Sequence, residues 1–168
     1  MHSNALSIFF FVYKFMQQQK KAQALMMAGH HNNIMNGAFS HMQNFLENQE
    51  EFICEALGYP EDYELLFTAS EHNFSAAAFH ERCDNIEDTI VLIETDNGKM
   101  IGGYTHYPWT SPENAEPVND PDCKAFIFSQ DMMDIFKPQN GNSLIVRWKN
   151  AGPIFGSGHD IFISDGCN

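Results

Sequence analysis

The chain has 168 residues, of which 43% are hydrophobic and 13% aromatic, and its formal net charge at pH 7 is −13. This length and apolar content predict one folded domain with its own core and exclude general disorder. The acidic balance argues against nucleic-acid binding, because phosphate contacts need clustered cations. Membrane insertion is not expected either, since no apolar run reaches the ~20 residues that a spanning helix requires.

Charge divides the chain close to residue 46. Residues 1–46 contain Lys14, Lys20 and Lys21 and no acid, whereas the remainder carries all 22 acids against the other six bases, a net charge of −16. A break of this kind is typical of a boundary between segments. We therefore expect a poorly structured leader over residues 1–42 and a single domain over residues 43–168.

Two amphipathic helices are predicted in the first half of the domain. Apolar residues at three- and four-residue spacing favour a helix over residues 43–58, with acids on its exposed face. Ser75 is a good N-cap for a second helix ending near Cys83, and Phe74 and Phe79 occupy the two positions of a hydrophobic staple.

Strands dominate the rest of the sequence. Asn97 and Gly98 separate two β-branched runs, residues 89–95 and 100–107, which predicts a hairpin. The first of these runs is apolar on both faces and belongs inside a sheet, and Gly102 and Gly103 predict a bulge or a close backbone approach. Further strands are expected at residues 64–70, 124–129, 144–148 and 160–164. We interpret residues 108–121 as a surface loop, 131–136 as a helical turn and 152–159 as a glycine-rich connection. The order predicts an α+β fold with an antiparallel sheet or sandwich.

The reactive side chains form no convincing catalytic group in the sequence alone. Ser75, His80 and Asp84 suggest a triad, but no G-x-S-x-G elbow surrounds Ser75, and a helix cap is the favoured reading. His80 and Cys83 have the spacing of a thiolate–imidazole pair or half a zinc site, yet no C-x-x-C occurs. The carboxylates that follow or precede strands, Glu94, Asp96, Asp160 and Asp165, have no distinctive spacing.

The order of short motifs resembles that of the TLDc domain family. The similar pieces are Leu65-Leu66-Phe67-Thr68-Ala69-Ser70, Phe74-Ser75-Ala76, Phe79-His80, Cys83-Asp84, Gly102-Gly103-Tyr104, Pro108-Trp109, Gly152-Pro153-Ile154-Phe155-Gly156, Asp160-Ile161-Phe162-Ile163 and Cys167-Asn168. Family domains continue past the last of these pieces with further strands. The resemblance therefore implies a TLDc-like antiparallel β-sandwich with flanking helices that is incomplete at its C-terminus.

The resemblance also implies a function and a division of roles among residues. TLDc proteins are associated with oxidative-stress resistance and with regulation of the vacuolar proton-pumping ATPase, and the family has no agreed catalytic site. We expect neither a cofactor nor a metal in this chain. Partner contacts are expected at the exposed residues Glu81, Arg82 and Asp160. By analogy, a structural role falls to Phe74, Ser75, Phe79, His80, Cys83, Gly102, Gly103, Trp109, Gly152, Phe155 and Gly156.

The leading hypothesis is a non-catalytic, cytoplasmic protein-interaction domain that reaches endolysosomal membranes or vacuoles through its partner. Two alternatives stay open. The first is a thiol-dependent or hydrolytic enzyme built on His80 and Cys83, which requires a lowered pKa of the Cys83 thiol. The second is a degenerate, truncated paralogue.

Overall fold

The computed structural model describes residues 9–15, 51–57, 63–95, 97–138 and 143–167. Ten strands, two α-helices and one 3-10 helix lie in these ranges. In chain order they are β1 (Phe9–Phe15), α1 (Glu51–Leu57), β2 (Tyr63–Thr68), the 3-10 helix (Ala69–His72), α2 (Ala76–Cys83), β3 (Thr89–Glu94), β4 (Met100–Thr105), β5 (Glu116–Asn119), β6 (Phe126–Ser129), β7 (Asp134–Phe136), β8 (Ser143–Arg147), β9 (Ala151–Phe155) and β10 (Ile161–Ser164).

The strands form two sheets in which every described pair of neighbouring strands is antiparallel. The larger sheet has six strands in the order β2-β1-β3-β4-β6-β7, and the smaller has four in the order β10-β9-β8-β5. A core of buried side chains from both sheets lies between them, including Val91 of β3 and Phe155 of β9. The predicted α+β class with an antiparallel β-sandwich is confirmed.

Strand β3 supplies side chains to two different cores. Val91 and Ile93 belong to the core between the sheets, whereas Ile90 and Leu92 pack on the opposite face with Ile53 of α1. All four β3 side chains are at most 3% exposed. The apolar side chains on both faces of a strand are removed from water only when both faces are covered. The sequence predicts this burial for residues 89–95.

Gly103 on β4 allows the two sheets to approach each other. A Cβ at this position would lie 2.6 Å from Cε1 of Phe155, which belongs to the opposite sheet. The pairing of β4 with β3 and with β6 runs without a register shift, so there is no bulge here. Of the two predicted roles for this glycine, close approach is the one that the structure shows.

The first strand contradicts the expected unstructured leader at residues 9–15. β1 lies between β2 and β3, and its residues Val12 and Tyr13 are at most 1% exposed. The sequence prediction rested on charge and low complexity, which do not detect a strand whose partners come more than forty residues later. The rest of residues 1–42 lies outside the described residues.

Three segments predicted as loop, helical turn or connection contain strands. Residues 116–119 form β5 at the edge of the smaller sheet, where Pro117 is tolerated because an edge strand needs fewer backbone donors. Residues 134–136 form β7, and residues 151–155 form the fully buried β9. The helix predicted over residues 43–58 is described as α1 at Glu51–Leu57, with residues 43–50 and 58 outside the described ranges.

We predict that Gly103→Ala lowers the free energy of unfolding by about 1–3 kcal/mol, because the added methyl group overlaps the Phe155 ring. The matched control is Gly158→Ala, since a Cβ there has no heavy atom within 4 Å. Denaturant unfolding of both variants measures the difference. Equal stability of the two variants would contradict the close packing described here.

Candidate functional site

The region with the reactive side chains is helix α2 and the segments that contact it. Ser75 caps the helix, with its Oγ accepting a hydrogen bond from the Ala78 N–H at 3.3 Å. Asp165 also lies at the start of α2, where its Oδ1 accepts from the Ala76 N–H at 2.8 Å. A carboxylate at this end of a helix satisfies a free N–H and interacts favourably with the helix dipole. The predicted cap at Ser75 is confirmed.

His80 joins α2 to the turn between β8 and β9. The ring is 7% exposed, and its Nε2 lies 3.0 Å from the carbonyl oxygens of both Trp148 and Ala151. Its Nδ1 lies 2.7 Å from Oδ1 of Asp84. The ring therefore bridges the end of α2, through Asp84, to two backbone carbonyls of the β8–β9 turn. His80 is therefore a buried clamp that holds α2 to this turn.

The suspected triad is assembled only in part. His80 and Asp84 are hydrogen bonded, as in a catalytic triad, but Nε2 faces two backbone carbonyls where a triad has its nucleophile. The Ser75 hydroxyl accepts a hydrogen bond within the first turn of α2. Both ring nitrogens of His80 are therefore engaged with atoms other than the Ser75 hydroxyl.

Cys83 has the opposite character to a reactive thiol. Its side chain is 0% exposed in the core between the sheets. Burial raises the pKa of the Cys83 thiol above its ordinary value of 9.0, and the nearby Asp84 carboxylate raises it further. A nucleophilic thiol needs a lowered pKa and access to solvent, so this site is unsuited to thiol chemistry.

The residues expected to contact a partner lie on the surface in two places. Glu81 and Arg82 are neighbours on α2, where Arg82 Nη1 donates to Glu81 Oε2 at 2.9 Å and to the Ala78 carbonyl at 3.2 Å. Asp160 is exposed in the turn between β9 and β10 and packs against Gly156, which has a φ of 80°. Charged and solvent-accessible, these side chains are suited to recognition rather than to packing.

The residues given a structural role by the family resemblance lie mainly in or beside the core between the sheets. Phe79, Cys83, Trp109 and Phe155 are buried in it, and Phe74 packs against it. Gly152 lies on β9 against Ile163, where an added Cβ would be 3.1 Å from Ile163 Cγ2. Ser75 and His80 anchor α2 as described above, and Gly102 lies next to Gly103 on β4.

A polar pair that the sequence does not indicate lies beside β4 and β5. Asp120 is 0% exposed, and its Oδ2 accepts from the Ala125 N–H at 2.8 Å. Its Oδ1 has no hydrogen-bond partner among the described residues, and Nε2 of His106 lies 3.9 Å away. Asp120 falls in the segment predicted as a surface loop, so nothing in the local pattern signals its burial.

The described residues provide neither a metal site nor a membrane-spanning helix. No group of three or more His, Cys, Asp or Glu side chains in these ranges is placed to hold a metal ion. Within the same ranges, no helix combines the length and the apolar character needed to cross a membrane.

We predict that His80→Ala lowers the free energy of unfolding by about 3 kcal/mol or more, because it leaves two carbonyls and a half-buried carboxylate without their donor. Arg82→Ala on the same helix is the control and costs at most about 1 kcal/mol, since its ion pair is on the surface. Urea unfolding provides the measurement. A loss for His80→Ala no larger than that for Arg82→Ala would show that the clamp does not stabilise the fold.

Comparison with known protein families identifies a match over most of the chain. The family model described as TLDc domain matches residues 30–168. The match begins at residue 30. The sequence analysis predicts that the domain starts later, at residue 43. No curated protein matches the chain. No solved structure matches it either. Because this family model covers most of the sequence, the chain belongs to the TLDc domain family.

Proposed function

We propose that this chain is a non-catalytic protein-interaction domain that regulates the vacuolar proton-pumping ATPase. Membership of the TLDc family supports the proposal, since this family is associated with that pump and is generally non-catalytic. The observation that carries the proposal is that the reactive side chains are engaged in structural contacts. Ser75 caps α2, His80 contacts two carbonyls and a carboxylate, and Cys83 is buried, so these three side chains do not form a catalytic group.

The thiol-enzyme alternative is poorly supported by the geometry. It requires a lowered pKa of the Cys83 thiol, whereas burial and Asp84 raise that pKa. It also requires His80 as a base, but the Nε2 atom of His80 is occupied by the Trp148 and Ala151 carbonyls. A contribution to oxidative-stress resistance would then come through the partner and not through direct oxidation of this thiol.

The proposed contact residues are Glu81, Arg82 and Asp160, on α2 and on the β9–β10 turn. Glu81 and Asp160 are exposed and Arg82 is half-buried. Charged residues at the rim of an interface steer association and set specificity. Through such contacts the domain would work in the cytoplasm and reach the vacuolar or endolysosomal membrane as part of a complex. The strongly acidic composition fits a basic surface on that partner.

We predict that the full chain binds the purified pump and that Glu81→Lys with Asp160→Lys weakens binding by about tenfold or more, through charge reversal at the contact. Glu87→Lys with Asp122→Lys is the matched control, because it changes net charge equally at two other exposed acids. Binding to the immobilised pump is measured by biolayer interferometry at physiological salt, together with the pump's ATP hydrolysis.

The outcomes separate the partner from the contact residues. Undetectable binding of the unmodified chain would contradict the proposed partner. Equal weakening by both double variants would retain the partner but reject the assigned contacts, since overall charge would then explain recognition. Arg82→Glu is an independent test at the same surface. It replaces a positive charge with a negative one, whereas Glu81→Lys and Asp160→Lys replace a negative charge with a positive one.

A further inference from the structure

Strand β1 precedes every other described element in the chain but lies in the interior of the larger sheet. On one side it pairs with β2, from Phe11 opposite Thr68 to Phe15 opposite Tyr63. On the other side it pairs with β3, from Phe9 opposite Glu94 to Lys14 opposite Thr89. The strand therefore fills a groove between β2 and β3, and both edges of that groove are backbone hydrogen-bonding edges.

The side chains of β1 are buried on both faces of the larger sheet. Val12 is 0% exposed in the core between the sheets, next to Phe67 of β2. Tyr13 is 1% exposed on the opposite face, with Ile53 and with an edge-to-face contact to Tyr63. Consecutive residues with such different surroundings make the groove selective for sequence as well as for extended backbone.

The strand and the groove have complementary charge. The first 46 residues carry three lysines and no acid, whereas the rest of the chain has a net charge of −16. Lys14 faces Glu64 of β2 across the strand pair. Opposite charges at facing positions stabilise a strand pair by a few tenths of a kcal/mol and favour one register over others.

The two strands that form the groove, β2 and β3, are linked to each other by a segment that does not include β1. Residues 63–94 run from β2 through α2 to β3, so that both edges are linked whether or not β1 is present. Residues 16–50 connect β1 to α1, and a segment of that length spans on the order of 100 Å when extended. The same contacts are therefore geometrically available to β1 of another molecule.

We propose that the groove between β2 and β3 is a strand-binding site through which two copies of this chain exchange Phe9–Phe15. In the exchanged dimer each β1 lies in the groove of the other copy and makes the contacts that it makes within one chain. Such an exchange costs little, because only the course of the connecting segment differs between the two forms. Because the exchange joins two molecules, the dimer is increasingly favoured as the protein concentration rises.

The test uses two full-length chains that each carry one reporter cysteine, Lys14→Cys in one and Glu64→Cys in the other. Facing positions in an antiparallel pair are close enough for a disulfide. Cys54, Cys123 and Cys167 are replaced by Ser in both, and the buried Cys83 is kept. The chains are unfolded, mixed at millimolar concentration, refolded together and oxidised, and mass spectrometry locates the disulfide.

We expect a heterodimer linked between positions 14 and 64, at least about tenfold more abundant than with a control acceptor chain carrying Glu81→Cys. Glu81 is also exposed but lies on α2, away from the groove. A yield no higher than that of the Glu81→Cys control would overturn the exchange. Both substitutions placed in one chain at micromolar concentration give an internal disulfide, and a folded chain that fails to form it would overturn the groove itself.

Discussion

The indole of Trp109 is the contact on which the rest of the structure depends. It is 1% exposed, its Nε1 donates to Thr89 Oγ1 at 3.0 Å, and its ring meets those of Phe79 and Phe155 edge to face at 5.6 Å each. These three neighbours belong to β3, α2 and β9, so one side chain joins both sheets and the helix. Its backbone oxygen also accepts from the Asn85 N–H at 2.8 Å, which fixes where the chain leaves α2. Aromatic pairs of this geometry add stability beyond the area that they bury.

This central packing explains why the reactive residues have structural roles. Cys83 and Phe79 lie on the buried face of α2, and His80 holds the same helix to the β8–β9 turn. The sequence is sufficient to select Ser75, His80 and Cys83 as residues of interest and to predict the cap at Ser75. It is not sufficient to find the partners of His80, because the Trp148 and Ala151 carbonyls lie about seventy residues away. The sequence does not predict the burial of Asp120 for a similar reason. Its neighbours Ala125 and His106 lie outside the local pattern around it.

Elements whose signals are local are the ones that the sequence predicts well. Helix α2 carries its own N-cap, and the β3–β4 hairpin carries its own turn and two apolar faces. By contrast, β5 contains a proline and β7 has only three residues, so neither has a strong local strand signal. Strand β5 forms by pairing with β8, and β7 forms by pairing with β6. Strand β1 is the extreme case, because low-complexity surroundings conceal a segment that pairs with residues far along the chain. Tertiary context outweighs local propensity in all three.

The central claim is that α2, its thiol and the two sheets form one cooperative core. Trp109 is the only tryptophan left in a Trp148→Phe variant, so that its fluorescence follows the core, while pulse alkylation of Cys83 followed by mass spectrometry reports access to α2. We predict that both signals change in one coincident transition with urea, as two-state unfolding requires. Alkylation of Cys83 at urea concentrations where Trp109 fluorescence is still native would contradict the claim, because the helix and its thiol would then open independently of the core.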